Sequence, residues 1–391
     1  MNHVSSPTTP DMLARARDLA KLVSSHADAT EKAGTMVPEL VAAFREAGLF
    51  WLLLPAELGG TGADFTTAID VLEEVSRADG STGWSLMANM TGTALAGAFA
   101  GEDAADAMFG GDKLGICAGM LGPGGKSVEV AGGITGSGKY AFGSGCGHAD
   151  WFGAGMLVME DGKPRTLANG APEVRVCFLP RERVQVIGNW DVVGLQGTGS
   201  YDYLVPEQFV PDSYQMERSS LVPARGGALF TAGIPGYACL GHAAFALGVM
   251  KRSLEEVVLV VVGKKRPAYP TTVGDHPVFR REFSLQEAAY QCTRAFVVNV
   301  FADAQSTLLA GGTLSPAQRA RFRQCTTYVH EVGANVVRFA YTWAGSAAQP
   351  KASPLGRCMR DFGVGTQHVF VDPVSMSDAA PPIMAEWAAH Q

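Results

Sequence analysis

Over the first hundred or so residues the apolar positions recur at helical spacing. MLARARDLAKLVSSHADATEKAG (12–34) keeps hydrophobic side chains three and four apart, which predicts an amphipathic helix. Pro38 suits the first turn of a second helix, PELVAAFREAGLF, with Gly48 near its end. LLLPAELGGTGAD (52–64) is a loop. Residues 65–100 predict two more helices, separated at Asp79-Gly80-Ser81-Thr82-Gly83, where Asp, Ser and Thr can cap a helix start. From Leu114 to about Tyr214 the period falls toward two, with glycines punctuating short apolar runs, which is an all-β pattern. The expected strands are KSVEVAGG, ITGSGKYAFG, WFGAGMLVM, EVRVCFLP, RVQVIGNW and YDYLVPEQFV. They suffice for one small barrel or sandwich. Helical period then returns in three long segments, 238–262, 281–309 and 315–345, and in a last one around LGRCMRDFGVGTQHVFV. Each of the three outruns a typical helix, and short connections between them predict a bundle.

The expected order is therefore α, β, α, an α+β multi-domain chain. Its parts are an N-terminal helical domain (1–113), a central β-barrel (114–225) and a C-terminal four-helix bundle (226–391). A chain of 391 residues is too long for one ordinary core. Charge narrows the function: the net charge is -7, and the tightest basic cluster is KKRP at Lys264–Pro267, so nucleic acid is not expected as a partner. The N-terminus, MNHVSSPTTPDMLARARDLA, lacks a basic-then-apolar leader pattern. The most apolar run, Val257–Gly263, is far shorter than a membrane span. Seven scattered cysteines without a CxxC pair suggest reduced thiols and a cytoplasmic location.

The densest chemistry lies in KYAFGSGCGHADW (Lys139–Trp151). Ser144 sits between two glycines, with aromatics on both sides and Cys-Gly-His after it. A small hydroxyl on such a turn suits a flat polar ligand approached closely by backbone. It equally suits a β-turn whose serine bonds its own backbone. Other motifs fail. GPGGKS (122–127) would need glycine where Met120 stands, and SVEV after it reads as strand rather than helix. GITGSG lacks a βαβ setting. His330-Glu331 is not followed by a second histidine, because Ala334 holds that place. Ser144 lacks the GxSxG frame, and Cys146 with His148 lacks further metal ligands.

Three stretches taken in register carry a resemblance: GSTGW (Gly80–Trp84), YAFGSGCGHADW with VVGLQGTGSYD (Val192–Asp202), and GRCMRDFGVGTQH (Gly356–His368). Their order and α-β-α setting resemble the acyl-CoA dehydrogenase fold. Within it they look most like the two-component flavin-dependent monooxygenases, such as the oxygenase components of 4-hydroxyphenylacetate and secosteroid phenol hydroxylases. The resemblance implies a homotetramer that takes reduced flavin, FMN or FAD, from a separate reductase. With O2 this flavin would form a C4a-hydroperoxide that hydroxylates a small organic substrate, aromatic, polyketide-like or N/S-containing. It also implies roles. Trp84 walls the flavin, Ser144 lies near its N5, and Thr198 and Ser200 serve its edge or phosphate. Arg281 and Phe283 reach it from a neighbouring subunit, and His368 moves a proton. Each also has a plain reading: Trp84 as core, Thr198 and Ser200 as turn residues, His368 as a cap or packing group. His148 reads as structural, tying the turn to the barrel, and Arg360-Asp361 as a structural pair holding the last helix.

The sequence departs from that pattern at two places. A second histidine that follows the Arg-Asp pair in several aromatic hydroxylases is Gly363 here, and the usual tryptophan of the serine strand is Tyr140 or Phe142. Both weigh against a phenol as substrate. An acyl-CoA dehydrogenase is the alternative. It needs a carboxylate base, and none follows Asp361 before Asp372, which leaves Glu331 on another helix. A non-catalytic flavin-binding homologue is the third reading.

Overall fold

A computed structural model describes residues 9–389; residues 1–8 of the stretch read for a leader pattern lie outside the described residues. Five helices come first: α1 (Thr9–Ala33), α2 (Pro38–Ala47), α3 (Phe65–Ala78), α4 (Gly80–Phe99) and α5 (Glu102–Phe109). Pro38 opens α2, and Gly48 ends it at φ 77, a left-handed conformation that glycine adopts without Cβ strain. The break at Asp79 is a single residue. Its carboxylate accepts from the Thr82 amide at 2.8 Å, so α4 starts where α3 stops.

The strands are β1 (Cys117–Val130), β2 (Gly133–Gly143), β3 (Trp151–Glu160), β4 (Lys163–Pro164), β5 (Val174–Pro180), β6 (Gln185–Val186), β7 (Tyr201–Pro211) and β8 (Gln215–Glu217). They form one sheet in the order β6-β7-β2-β1-β3-β5-β8, with β4 beside β3. The expected barrel is not there: β6 and β8 are free edges, and the sheet stays open. RVQVIGNW is a strand only briefly. This run stops pairing at Val186, Gly188 turns at φ 74, and the chain leaves the sheet to dock on a C-terminal helix. At Gly194 a Cβ would stand 2.1 Å from the Arg360 carbonyl oxygen. GPGGKS lies inside β1, where register shifts between Met120, Pro123 and Gly125 bend the strand.

The remaining helices are α6 (Gly233–Val261), α7 (Pro277–Leu309), α8 (Pro316–Ala344), α9 (Pro354–Gly365) and α10 (Val374–Ala389). The periodicity shows no α10 because Pro381-Pro382 reads as a break. No helix among the described residues is long and apolar enough to cross a membrane. The N- and C-terminal helices share one core, in which Phe44, Phe65 and Leu72 join Phe245, Phe301 and Phe322. Buried Glu73 on α3 accepts from the Tyr290 hydroxyl and from Arg294 Nε at 2.8 Å, both on α7. Glu31 on α1 takes Arg357 and Arg360 of α9, each at 2.8 Å. Arg360 thus pairs with Glu31 and not with its neighbour Asp361. The sheet keeps a smaller core of its own, where Tyr140 stacks on Tyr203 at 4.9 Å.

Helices α3 and α6 cross at Gly248, where a Cβ would lie 2.4 Å from the Glu73 carbonyl oxygen and 2.8 Å from the Arg77 nitrogen. Alanine in a helix interior ordinarily gains about 1 kcal/mol over glycine. Here backbone, which cannot yield, occupies the space. Gly248→Ala is expected to destabilise the fold by roughly 1–3 kcal/mol, read from urea unfolding midpoints.

Candidate active site

Helix α4 is buried on nearly all sides, and it brings three side chains to the sheet: Trp84, Ser85 and Asn89. The Asn89 amide donates to the Cys117 carbonyl at 3.1 Å and the Gly145 carbonyl at 3.4 Å, and its oxygen accepts from His148 Nε2 at 2.8 Å. His148 is therefore structural, tying the serine turn to α4 rather than to a barrel. Arg181 donates to the Cys146 and Ala149 carbonyls at 2.7 and 3.0 Å. Asp150 receives Arg45 of α2 at 2.7 Å. The turn itself needs an unusual backbone: Phe142 stands at φ 63, and at Gly145 (φ 73) a Cβ would be 2.3 Å from the Asn89 oxygen. Glycine there is obligatory, and Ser144 projects from a clamped loop.

Ser144 Oγ accepts from the Trp84 indole nitrogen at 3.1 Å. It lies 2.7 Å from Ser200 Oγ, which lies 2.7 Å from Thr198 Oγ1. Thr198 in turn donates to the Leu195 carbonyl at 2.7 Å. Ser144 is half-buried, whereas Ser200 is 3% and Thr198 0% exposed. The last two thus stand behind Ser144. Leu195 adopts φ 53, a strained conformation for a leucine, and its amide donates to the buried Asp361 carboxylate at 2.6 Å. Burial and nearby Asp79 push the Asp361 carboxyl up.

On the helical side, the Trp84 ring meets His242 at 4.8 Å, Phe245 at 4.9 Å and His368 at 5.8 Å. The His242 and His368 rings are 4.0 Å apart, and Phe370 stacks on His368 at 5.7 Å. His242 lies on α6, so a second imidazole stands beside His368 although position 363 is glycine. His330 of α8 lies behind, 5.6 Å from Phe362. Desolvation lowers all three imidazoles: His330 and His368 to about 4, and His242 well below its ordinary value. Neighbouring Arg323 adds to the effect at His368. Hydrogen bonds settle two tautomers. The His368 Nδ1 accepts from the Phe370 amide at 3.3 Å, so its proton is on Nε2. His330 Nδ1 donates to the Thr326 carbonyl at 2.8 Å, leaving Nε2 as a buried, unpartnered acceptor; His242 Nδ1 is unpartnered too.

The structure thus gathers Trp84, Ser144, Thr198, Ser200 and His368 from α4, two loops and the segment after α9. Within one chain it does not bring Arg281 and Phe283 to them. Both lie near the start of α7, which packs on α8, α6 and α3. Sequence reasoning missed His242, Asn89 and the Leu195–Asp361 bond. A histidine inside GHAAF and an asparagine inside a uniformly buried helix carry no local signal. Glu331, the dehydrogenase alternative's base, is exposed on α8, and no carboxylate appears in the described hydrogen bonds or ring contacts of Trp84, Ser144, His242 or His368.

Comparison with known proteins places the fold. The acyl-CoA dehydrogenase N-terminal domain model matches residues 7–107, and the C-terminal domain model matches residues 240–373. The chain is 28% identical to an indole-3-acetate monooxygenase of Pseudomonas putida over 341 residues, 87% of this chain and 85% of that one. It is 25% identical to the flavin-dependent monooxygenase oxygenase subunit HsaA of Mycobacterium tuberculosis, covering 95% of each. The HsaA crystal structure superposes with a TM-score of 0.88 at 22% identity over 98% of both chains. XiaF from Streptomyces sp., solved with FADH2 and glycerol, gives a TM-score of 0.86 at 18% identity over 97% of this chain and 96% of that one. The chain belongs to the acyl-CoA dehydrogenase family, among the flavin-dependent monooxygenase oxygenase components.

Proposed function

We propose that the protein is the oxygenase component of a two-component flavin-dependent monooxygenase, and that it hydroxylates a small, flat, uncharged organic molecule. One observation carries the substrate side of this reading: an aromatic site of Trp84, Phe245 and Phe370 around imidazoles held neutral by burial. Such a wall excludes water and offers hydrogen bonds without charge, which suits an aromatic or N/S-containing substrate. The lack of a contacting carboxylate removes the proton acceptor that α,β-dehydrogenation requires.

The residues fit a flavin. An isoalloxazine asks for an apolar slot with hydrogen-bonding groups along its edge. Phe142, 63% exposed beside Trp190, and Trp84 supply apolar faces, and Ser144 supplies the edge group. When bound, reduced flavin supplies the electrons that activate O2 for transfer of one oxygen atom. Ser144 holds the ring edge near N5. His368 donates from Nε2, since its Nδ1 is engaged by the Phe370 amide, and so orients oxygen or substrate at the reacting edge. FMN and FAD are both compatible with this site.

The same reading includes a homotetramer. Leu259 on α6 and Val262 just after it are 73% and 65% exposed, and Val278 and Leu285 flank Arg281 and Phe283 on α7. An apolar face of this kind suits burial against another copy, through which Arg281 and Phe283 would meet a neighbour's flavin. A separate reductase supplies the reduced flavin, and unpaired cysteines are in keeping with the cytoplasm.

Rapid mixing of the flavin-reduced protein with oxygenated buffer is expected to show a transient absorbing between the reduced and oxidised forms. Direct return to oxidised flavin, with reduction of the oxidised flavin by an acyl-CoA, would overturn the reading. His368→Ala is expected to lower product per flavin oxidised roughly tenfold, the remainder appearing as hydrogen peroxide. Proton NMR should find the His368 and His330 imidazoles neutral down to about pH 4. Their folded pKa values lie below the unfolded one, so the unfolded state binds more protons between pH 6.5 and 4. Stability should therefore fall as pH drops through that window, by up to about 1.4 kcal/mol per pH unit for each imidazole, and level off below it.

A further inference from the structure

The hydrogen bonds behind Ser144 have a direction, and both ends impose it. The Trp84 indole nitrogen can only donate, and the Leu195 carbonyl can only accept. Between them stand three hydroxyls with one proton each. Thr198 gives its proton to Leu195, so Ser200 must give its own to Thr198. Ser144 must then give its proton to Ser200. Every proton points from Trp84 toward Leu195. Ser144, the one hydroxyl of the three that is not buried, has one lone pair taken by Trp84 and its proton turned inward. What it has left for the site is a lone pair.

The anchor of this chain is itself fixed. Leu195 is held at φ 53 with its amide on the buried Asp361 carboxylate, and Gly194 leaves no space for a side chain against α9. The carbonyl that receives the last proton also accepts from the Trp190 indole nitrogen at 3.0 Å, a second donor that holds its direction.

We infer that Thr198 and Ser200 are positioning residues that fix Ser144 as a hydrogen-bond acceptor toward the site, so that the site favours a ring edge bearing an N–H over one bearing a bare nitrogen. This rests on the flavin reading above. A flavin carries N–H at N5 when reduced and a bare nitrogen when oxidised. An acceptor at Ser144 bonds the first and repels the second, so the chain of hydroxyls sorts flavin by redox state. The sorting needs no charge and no movement of Ser144. A donor at the same place would invert the preference. Cutting the chain at Thr198 lets Ser200 donate to Ser144, which frees the Ser144 proton to face the site.

The test is anaerobic binding of FMN and FAD, each oxidised and dithionite-reduced, to the purified full-length protein. The readout is the ratio of the oxidised to the reduced dissociation constant. Thr198→Val keeps the shape of the side chain and removes the hydroxyl; Thr198→Ser keeps the hydroxyl and removes the methyl. The ratio is expected to fall about tenfold in Thr198→Val, chiefly by tighter binding of oxidised flavin, and to hold in Thr198→Ser. If Thr198→Val does not fold, Ser200→Ala cuts the next link and carries the same expectation. An unchanged ratio in the cut chain, an equal fall in both Thr198 variants, or equal binding of both redox states by the unaltered protein overturns the inference and leaves the flavin reading standing. Failure of the unaltered protein to bind flavin in either state overturns both.

Discussion

The site depends on the amide of Asn89. It is buried in α4 and engages groups on β1 and on the serine turn through both its oxygen and its nitrogen. A buried amide that keeps its partners is a precise spacer, because losing any one of them leaves an unsatisfied polar group in a dry interior. The spacing matters because Trp84 lies one and a half turns earlier on the same helix. Fixing Asn89 to the turn fixes the indole to Ser144. The helix start is set by Asp79, so cap, indole and clamp lie on one rigid rod.

Burial gives the helical half of the site its character. Three imidazoles within a network of aromatic rings would be costly as cations, and the low dielectric holds them neutral. Neutrality makes the tautomer the chemical variable, and the backbone sets it. An amide donating to His368 Nδ1 puts the proton on Nε2, and a carbonyl accepting from His330 Nδ1 leaves Nε2 bare. One ring offers a donor and the other an acceptor without any change of charge. The Arg323 guanidinium lies over the Phe370 ring at 5.4 Å.

The two helical regions share one core, which explains how distant segments converge so closely. Glu73 and Glu31 are buried carboxylates, and each receives more than one donor from a C-terminal helix. They lock α3 to α7 and α1 to α9. That locking lets His368, after α9, stand 5.8 Å from Trp84 on α4. The sheet meets α9 through the 187–194 loop, where Gly194 lies against the Arg360 backbone.

The sequence alone carried the helix starts and stops, because caps are local: Pro38, Gly48 and Asp79 each act within one turn of the backbone. It also carried most strands, and it singled out Trp84, Ser144 and His368, which lie in stretches whose order resembles a known family and which the fold brings together. The tertiary structure decided what local pattern does not encode. RVQVIGNW has strand alternation, yet its ladder pairing ends at Val186 and Gly194 packs closely against the Arg360 backbone of α9. His242 and Asn89 look like chance polar residues in apolar helices until the fold sets a ring at 4.0 Å from one and a turn against the other. The direction of the Ser144 protons depends on Leu195 and Asp361, which are 166 positions apart in the chain. Hydrogen-bond polarity is set by whichever fixed donor and acceptor end a chain of hydroxyls, and only folding brings those ends together.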